Sequence, residues 1–184
     1  NKASTTSRSD ITKISKGLMG STYGSTEIAD PDKTTNYVTC HDNYTLYDRF
    51  IATGAFTEND EEELVKMNVL ANSMVFSSQG TSFMLAGEEF LRTKGGDDNS
   101  YTSSYKVNEL DYALKIKHQD MVENYQKMIA LKVDNTLLHL GKDDVSDKMS
   151  VTAENSMFKE VISDDSHGLV IYHLNGYGNE ADVE

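Results

Sequence analysis

Tryptophan is absent from this 184-residue sequence, and cysteine and proline occur once each. The lone Cys40 excludes an internal disulfide and any cysteine-based zinc spacing, which leaves it the role of a small, buried apolar residue. No run approaches the roughly 18 apolar residues of a membrane-spanning helix, and the opening NKASTTSRSD lacks the apolar core of a signal peptide. Basic residues are scarce as well, 17 against 30 acidic, for a formal charge of −13. Nucleic acid and anionic membrane surfaces are therefore excluded as partners by repulsion, while a neutral ligand is indifferent to the charge. No metal and no cofactor is expected, and nothing assigns a compartment.

What is present falls into an α/β order. Residues 1–35, rich in Ser, Thr, Lys and Gly, read as a loop-rich lead-in with one short helix around Ile11–Leu18. Pro31 biases Asp30 away from helix and ends whatever precedes a short extended run, Tyr37-Val38-Thr39-Cys40. From Asn59 to Ser77, Leu64, Met67, Leu70, Ala71, Met74 and Val75 recur at spacings of three and four behind the acidic Asp60–Glu63, which predicts a helix with one buried stripe. Gly80 breaks that helix, and Thr81–Ala86 reads as a second short strand. A helix between two such runs is the crossover of a parallel pair.

A further helix is predicted over Gln119–Lys132 on the stripe Val122, Tyr125, Met128, Ile129 and Leu131. Residues 134–156 read as a polar linker. Beyond it Phe158–Ile162 and Gly168–Leu174 flank Ser163–His167 as an antiparallel hairpin, which must pack on something to persist in water.

The chemistry gathers at the end of the first strand, where His41, Asp42 and Asn43 put an imidazole and a carboxylate side by side. Barrel enzymes place their reacting groups at the C-terminal ends of parallel strands. The same triplet also reads as a turn in which Asp42 or Asn43 caps the next segment. Glu88 and Glu89 follow the second strand, but neighbours on a strand point to opposite faces and make a poor catalytic pair.

The loop Arg92–Tyr101 is the other contact surface: Asp97 and Asn99 can pair with hydroxyls, and Tyr101 offers a ring for stacking. Asp97-Asp98-Asn99 reads equally as a solvated loop tip and lacks the 12-residue spacing of a calcium loop. His118, His139 and His167 are isolated and read as surface residues.

Three ordered blocks carry a resemblance. VTCHDNYTLYD, residues 38–48, resembles the strand-seven region of glycoside hydrolase family 13, the α-amylase family, and within it the pullulanase-type debranching enzymes. SSQGTSFMLAGEEFLRTKGGDDNSY, residues 77–101, looks like strand eight and its following loop, and Asn108-Glu109-Leu110-Asp111-Tyr112 is similar to the family's Asn-x-x-Asp-aromatic stretch, with Tyr112 where Trp is common. Strong likeness covers residues 36–112, and weaker likeness reaches about residue 174.

The resemblance implies the C-terminal part of a (β/α)8 TIM barrel, strands seven and eight with their helices, followed by the start of an antiparallel β-sandwich. A whole barrel needs about 250 residues. The implied layout is a lead-in to strand seven over 1–35, barrel over 36–133, a linker over 134–156 and the start of the β-domain over 157–184.

It further implies Asp42 as a catalytic carboxylate that stabilises the transition state, His41 as a donor to the same glucose, and Asn43, Asp97, Asn99 and Tyr101 as substrate contacts. The nucleophile and acid/base of such enzymes lie on earlier strands, and nothing before residue 36 resembles them. The expectation is thus a piece of a retaining enzyme cleaving α-1,6 links in pullulan, starch or glycogen, inactive alone. The alternatives are a non-catalytic carbohydrate-binding or interaction protein and an α-1,4-acting relative. The expected partners are an α-glucan and either the remainder of the parent enzyme or a second copy covering the bare strand edges and helix stripe.

Overall fold

The computed structural model describes residues 13–14, 16–21, 30–152 and 171–174. The chain divides into two compact units, one of residues 1–35, 78–81 and 135–184, the other of residues 36–77 and 82–134.

Strand β1, Thr35–Asn36, pairs with β2, Thr81–Ser82. The amides of Thr81 and Phe83 donate to the carbonyls of Thr34 and Asn36 at 3.0 and 2.9 Å, and this advance of two residues on each side marks a parallel pair. Between the strands in sequence lie helices α1, Leu46–Ala52, and α2, Glu61–Ser77, so the expected crossover unit is present.

The first strand lies just before the expected run Tyr37–Cys40 and not on it, and the second covers only the first two residues of Thr81–Ala86. The runs Tyr37–Cys40 and Thr81–Ala86 carry apolar side chains, yet the ladder ends at Phe83. A strand persists only where its amides and carbonyls find partners, and Val38 is already a bend while Ala86 and Gly87 form a turn.

Helix α2 begins behind Glu61–Glu63 as expected but buries a different face: Leu64, Asn68, Asn72, Val75 and Phe76 are inside, while Leu70 is half exposed. After it come two short helices, α3 over Tyr105–Asn108 and α4 over Tyr112–Lys117. Helix α5, Gln119–Asp134, contributes Met121, Val122 and Tyr125 to the interior and leaves Leu131 and Val133 outside. Phe76, Leu91, Met121 and Tyr125 form the core of this unit, with the Phe76 and Tyr125 rings edge to face at 6.1 Å. On the helix stripe and the second strand, Leu64 is fully buried, Met74 and Met84 are half-buried, and Phe83 is exposed.

In the other unit, residues 13–14 and 16–18 are helical, within the short helix expected there. The buried Gln79 organises its surroundings: its amide donates to the Leu18 carbonyl, its side-chain amide donates to the Leu137 carbonyl, and its side-chain oxygen accepts from Leu140, each at 2.8 Å. Gly80 follows at φ +88°, and a β-carbon there would stand 2.2 Å from Thr34 Oγ1 and 2.6 Å from the Pro31 carbonyl. Gly80→Ala therefore meets both an unfavourable backbone region and backbone atoms that cannot retreat, and it should destabilise the chain by at least about 2 kcal/mol in urea unfolding. A loss below about 0.5 kcal/mol would show that this corner relaxes freely.

Residues 134–156, expected as a polar linker, carry more structure than that. Helix α6 spans Lys142–Lys148 and β3 spans Met149–Thr152, because the spaced apolar residues Leu138, Leu140, Val145 and Met149 are all buried. β3 pairs antiparallel with β4, Ile171–Leu174, in the register Met149 to Leu174 and Thr152 to Ile171. The other arm of the expected hairpin, Phe158–Ile162, lies outside the described residues.

Candidate functional site

His41, Asp42 and Asn43 form an exposed bend between β1 and α1, in the unit 36–77 and 82–134. His41 Nε2 stands 3.5 Å from Asp42 Oδ2, with the two side chains 83% and 70% exposed. Asn43 takes φ +61°, a left-handed conformation that Asn tolerates better than most residues. The triplet does not cap the following helix. That role belongs to Thr45, whose hydroxyl accepts from the Asp48 amide at 3.1 Å, so Asp42 remains displayed.

Beneath the bend lies a buried polar network that local sequence reasoning missed. Asp48, 4% exposed, accepts from the Thr45 hydroxyl at 2.9 Å, the Lys94 amide at 2.7 Å and the Thr93 hydroxyl. Lys94, equally buried, sends its ammonium to the His41 carbonyl at 3.1 Å and to Ser100 Oγ at 3.0 Å. Ser100 Oγ in turn donates to Asn108 Oδ1 at 2.9 Å, Asn108 Nδ2 donates to the Ser100 carbonyl, and Arg92 donates to the Asn108 carbonyl. Thr45-x-x-Asp48 has capping-box spacing and was a usable signal. Lys94 had none, because its partner is 53 residues away.

The network brings the bend and the loop 92–101 together. Within that loop Asp97 is occupied internally, accepting from Ser103 Oγ and from the Asn99 amide; these bonds hold its carboxyl below the usual range, with Lys94 contributing more weakly. Asn99 is exposed, and the Tyr101 ring is 82% exposed.

Glu88 and Glu89 sit in a 3-10 turn, Glu88–Phe90, rather than on a strand. Glu89 accepts from the Gly87 amide. Glu88 is 2% exposed, and its carboxyl oxygens make no hydrogen bond of normal geometry among the described residues. Burial pushes its pKa up to about 8; Asn72 beside it opposes that rise and Glu89 adds to it. The Tyr125 hydroxyl, donating to Asn68 Oδ1 in the same interior, is pushed up by burial too.

His118, expected at the surface, is buried with its Nε2 3.9 Å from Glu61, and desolvation lowers its pKa. Among the described residues, Cys40, His41 and Asp42 are the group whose ligating atoms approach closely enough to hold a metal ion, all within 4.8 Å of one another.

No family model matches the chain. It is 33% identical to a pullulanase of Bacillus subtilis over 105 residues, 57% of this chain and 14% of that protein. It is 43% identical to the chloroplastic pullulanase 1 of Arabidopsis thaliana over 83 residues, 45% of this chain and 8% of the relative. Among solved structures, a pullulanase from Bacillus acidopullulyticus superposes with a TM-score of 0.70 at 36% identity, covering 80% of this chain and 18% of that one. The Paenibacillus barengoltzii pullulanase in complex with maltohexaose and α-cyclodextrin superposes at 0.71 and 36% identity, covering 79% of this chain and 23% of the other. The chain thus spans less than a quarter of the length of each of these proteins. By sequence and by fold, the chain is similar to a segment of the pullulanases.

Proposed function

We propose that the chain forms part of a retaining glycoside hydrolase that cleaves α-1,6-glucosidic bonds in pullulan or branched glucans, contributing strands seven and eight of its barrel. The observation that carries this reading is the exposed His41–Asp42 pair, displayed on a bend and released from capping by Thr45. Retaining glycosidases need a nucleophile and an acid/base about 5–5.5 Å apart. Asp42 is neither. Its carboxylate accepts hydrogen bonds from hydroxyls of the glucose next to the scissile bond and favours the distorted ring of the oxocarbenium-like transition state, an interaction that accelerates the reaction because it strengthens there.

His41 donates to a hydroxyl of the same sugar, Asn43 orients the pair, and Asn99 and Tyr101 extend the contact surface, Tyr101 by stacking its free ring face. Asp97 supports the loop through Ser103 and Asn99 and meets substrate only through a lone pair left over from those bonds.

The nucleophile and acid/base come from other strands of the barrel. The 184-residue chain alone should therefore release no reducing sugar from pullulan, while the complete polypeptide containing it should yield maltotriose. Hydrolysis by the chain alone, or none by the complete polypeptide, would sink the reading.

A further inference from the structure

The geometry points to Lys94 as a positioning residue for the His41–Asp42 bend, an inference that rests on the glycosidase reading and extends it to a residue that does not touch substrate. Lys94 is a cation held 4% exposed, and burying an ammonium is unfavourable unless its donors are used. Its side chain donates to the His41 carbonyl and to Ser100 Oγ, and its amide donates to Asp48.

The bend is consequently fastened at both ends. Lys94 holds the main chain at His41, and Asp48 holds Thr45 through its hydroxyl, with only Asp42, Asn43 and Tyr44 between. Fixing the peptide after His41 fixes the positions of the Asp42 amide nitrogen and α-carbon, because the peptide unit is planar, and the second anchor at Thr45 limits the turn by which the Asp42 side chain leaves them. Ser100 relays the constraint to Asn108, so the ammonium also sets the loop carrying Asn99 and Tyr101 against the bend. A misplacement of about 1 Å in a reacting constellation costs on the order of 10²-fold in rate.

The test uses the complete polypeptide with pullulan. Lys94→Met keeps the aliphatic stem and removes the donors; kcat should fall about 100-fold with KM changed less than about threefold, in protein whose circular dichroism shows it fully folded at the assay temperature. A merely structural lysine would lower the melting temperature and leave kcat per folded molecule unchanged, which would overturn the proposal.

Asp42→Asn, measured alongside, separates the failures. A large loss with Asp42→Asn and none with Lys94→Met refutes the positioning role alone, whereas no loss with either removes the glycosidase reading as well. If Lys94→Met does not fold, Ser100→Ala, which deletes one of the two acceptors of the ammonium, should lower kcat about fivefold with the fold intact, and an unchanged kcat would count against the proposal.

Discussion

Asp42→Asn in the complete polypeptide should lower kcat on pullulan by about 10³-fold or more while KM stays within a few-fold of the parent. The substitution is isosteric, so the bend and its fastening through Lys94 and Asp48 survive. What is lost is an acceptor oxygen and a negative charge facing the sugar as positive charge develops at its anomeric carbon. An interaction made chiefly in the transition state appears in kcat, and a 10³-fold loss corresponds to about 4 kcal/mol, within the range of a preorganised electrostatic contact. Steady-state rates on pullulan with active-site-titrated enzyme measure it. Retention of more than about a tenth of normal turnover would remove Asp42 from the catalytic set.

Glu88→Gln should make this chain more stable at pH 8 than its parent, with the advantage shrinking as pH falls toward 5. The folded-state pKa of Glu88 is raised from 4.5 to about 8, so the folded chain retains a proton that the unfolded chain gives up. The contribution is fully present below the unfolded value and is lost as pH rises through about 8. Across that window it amounts to an order of a few kcal/mol.

The groups facing Glu88 are Asn72 on α2, Glu89 beside it and Tyr125 on α5, whose own pKa is raised, so the tyrosine stays neutral throughout. Lys132, held down to about 8 by burial, has the opposite sign and adds stability only above that pH. Urea unfolding of both forms at pH 5, 6, 7 and 8 isolates the effect, since every group not coupled to Glu88 cancels in the difference. A pH-independent difference would show that Glu88 does not carry the buried proton.

Apolar spacing made α2 and α5 legible in the sequence, and Gly80 marked the corner after α2, because both signals are local. The face that α2 buries was not legible. Two asparagines, Asn68 and Asn72, occupy it, and a periodicity count assigns asparagine to the outside. The first strand was misplaced and the second overestimated for a related reason: Tyr37–Cys40 has strand-forming side chains, but the ladder forms at Thr35–Asn36, and where a strand pairs depends on a partner's register, which no local pattern records. At the site, His41 and Asp42 stood out as chemical groups, whereas Lys94, which holds them, is visible only once a residue 53 positions away is brought beside it.

The function proposed for this chain depends on the His41–Asp42 bend being a glucose subsite. A crystal structure of the complete polypeptide with maltotriose tests it most directly. Such a structure should show a glucose unit with hydroxyls about 2.6–3.0 Å from the Asp42 carboxylate, a further hydroxyl within hydrogen-bond distance of His41, and the Lys94 ammonium still on the His41 carbonyl. Maltotriose bound elsewhere, with His41 and Asp42 facing only solvent, would contradict it.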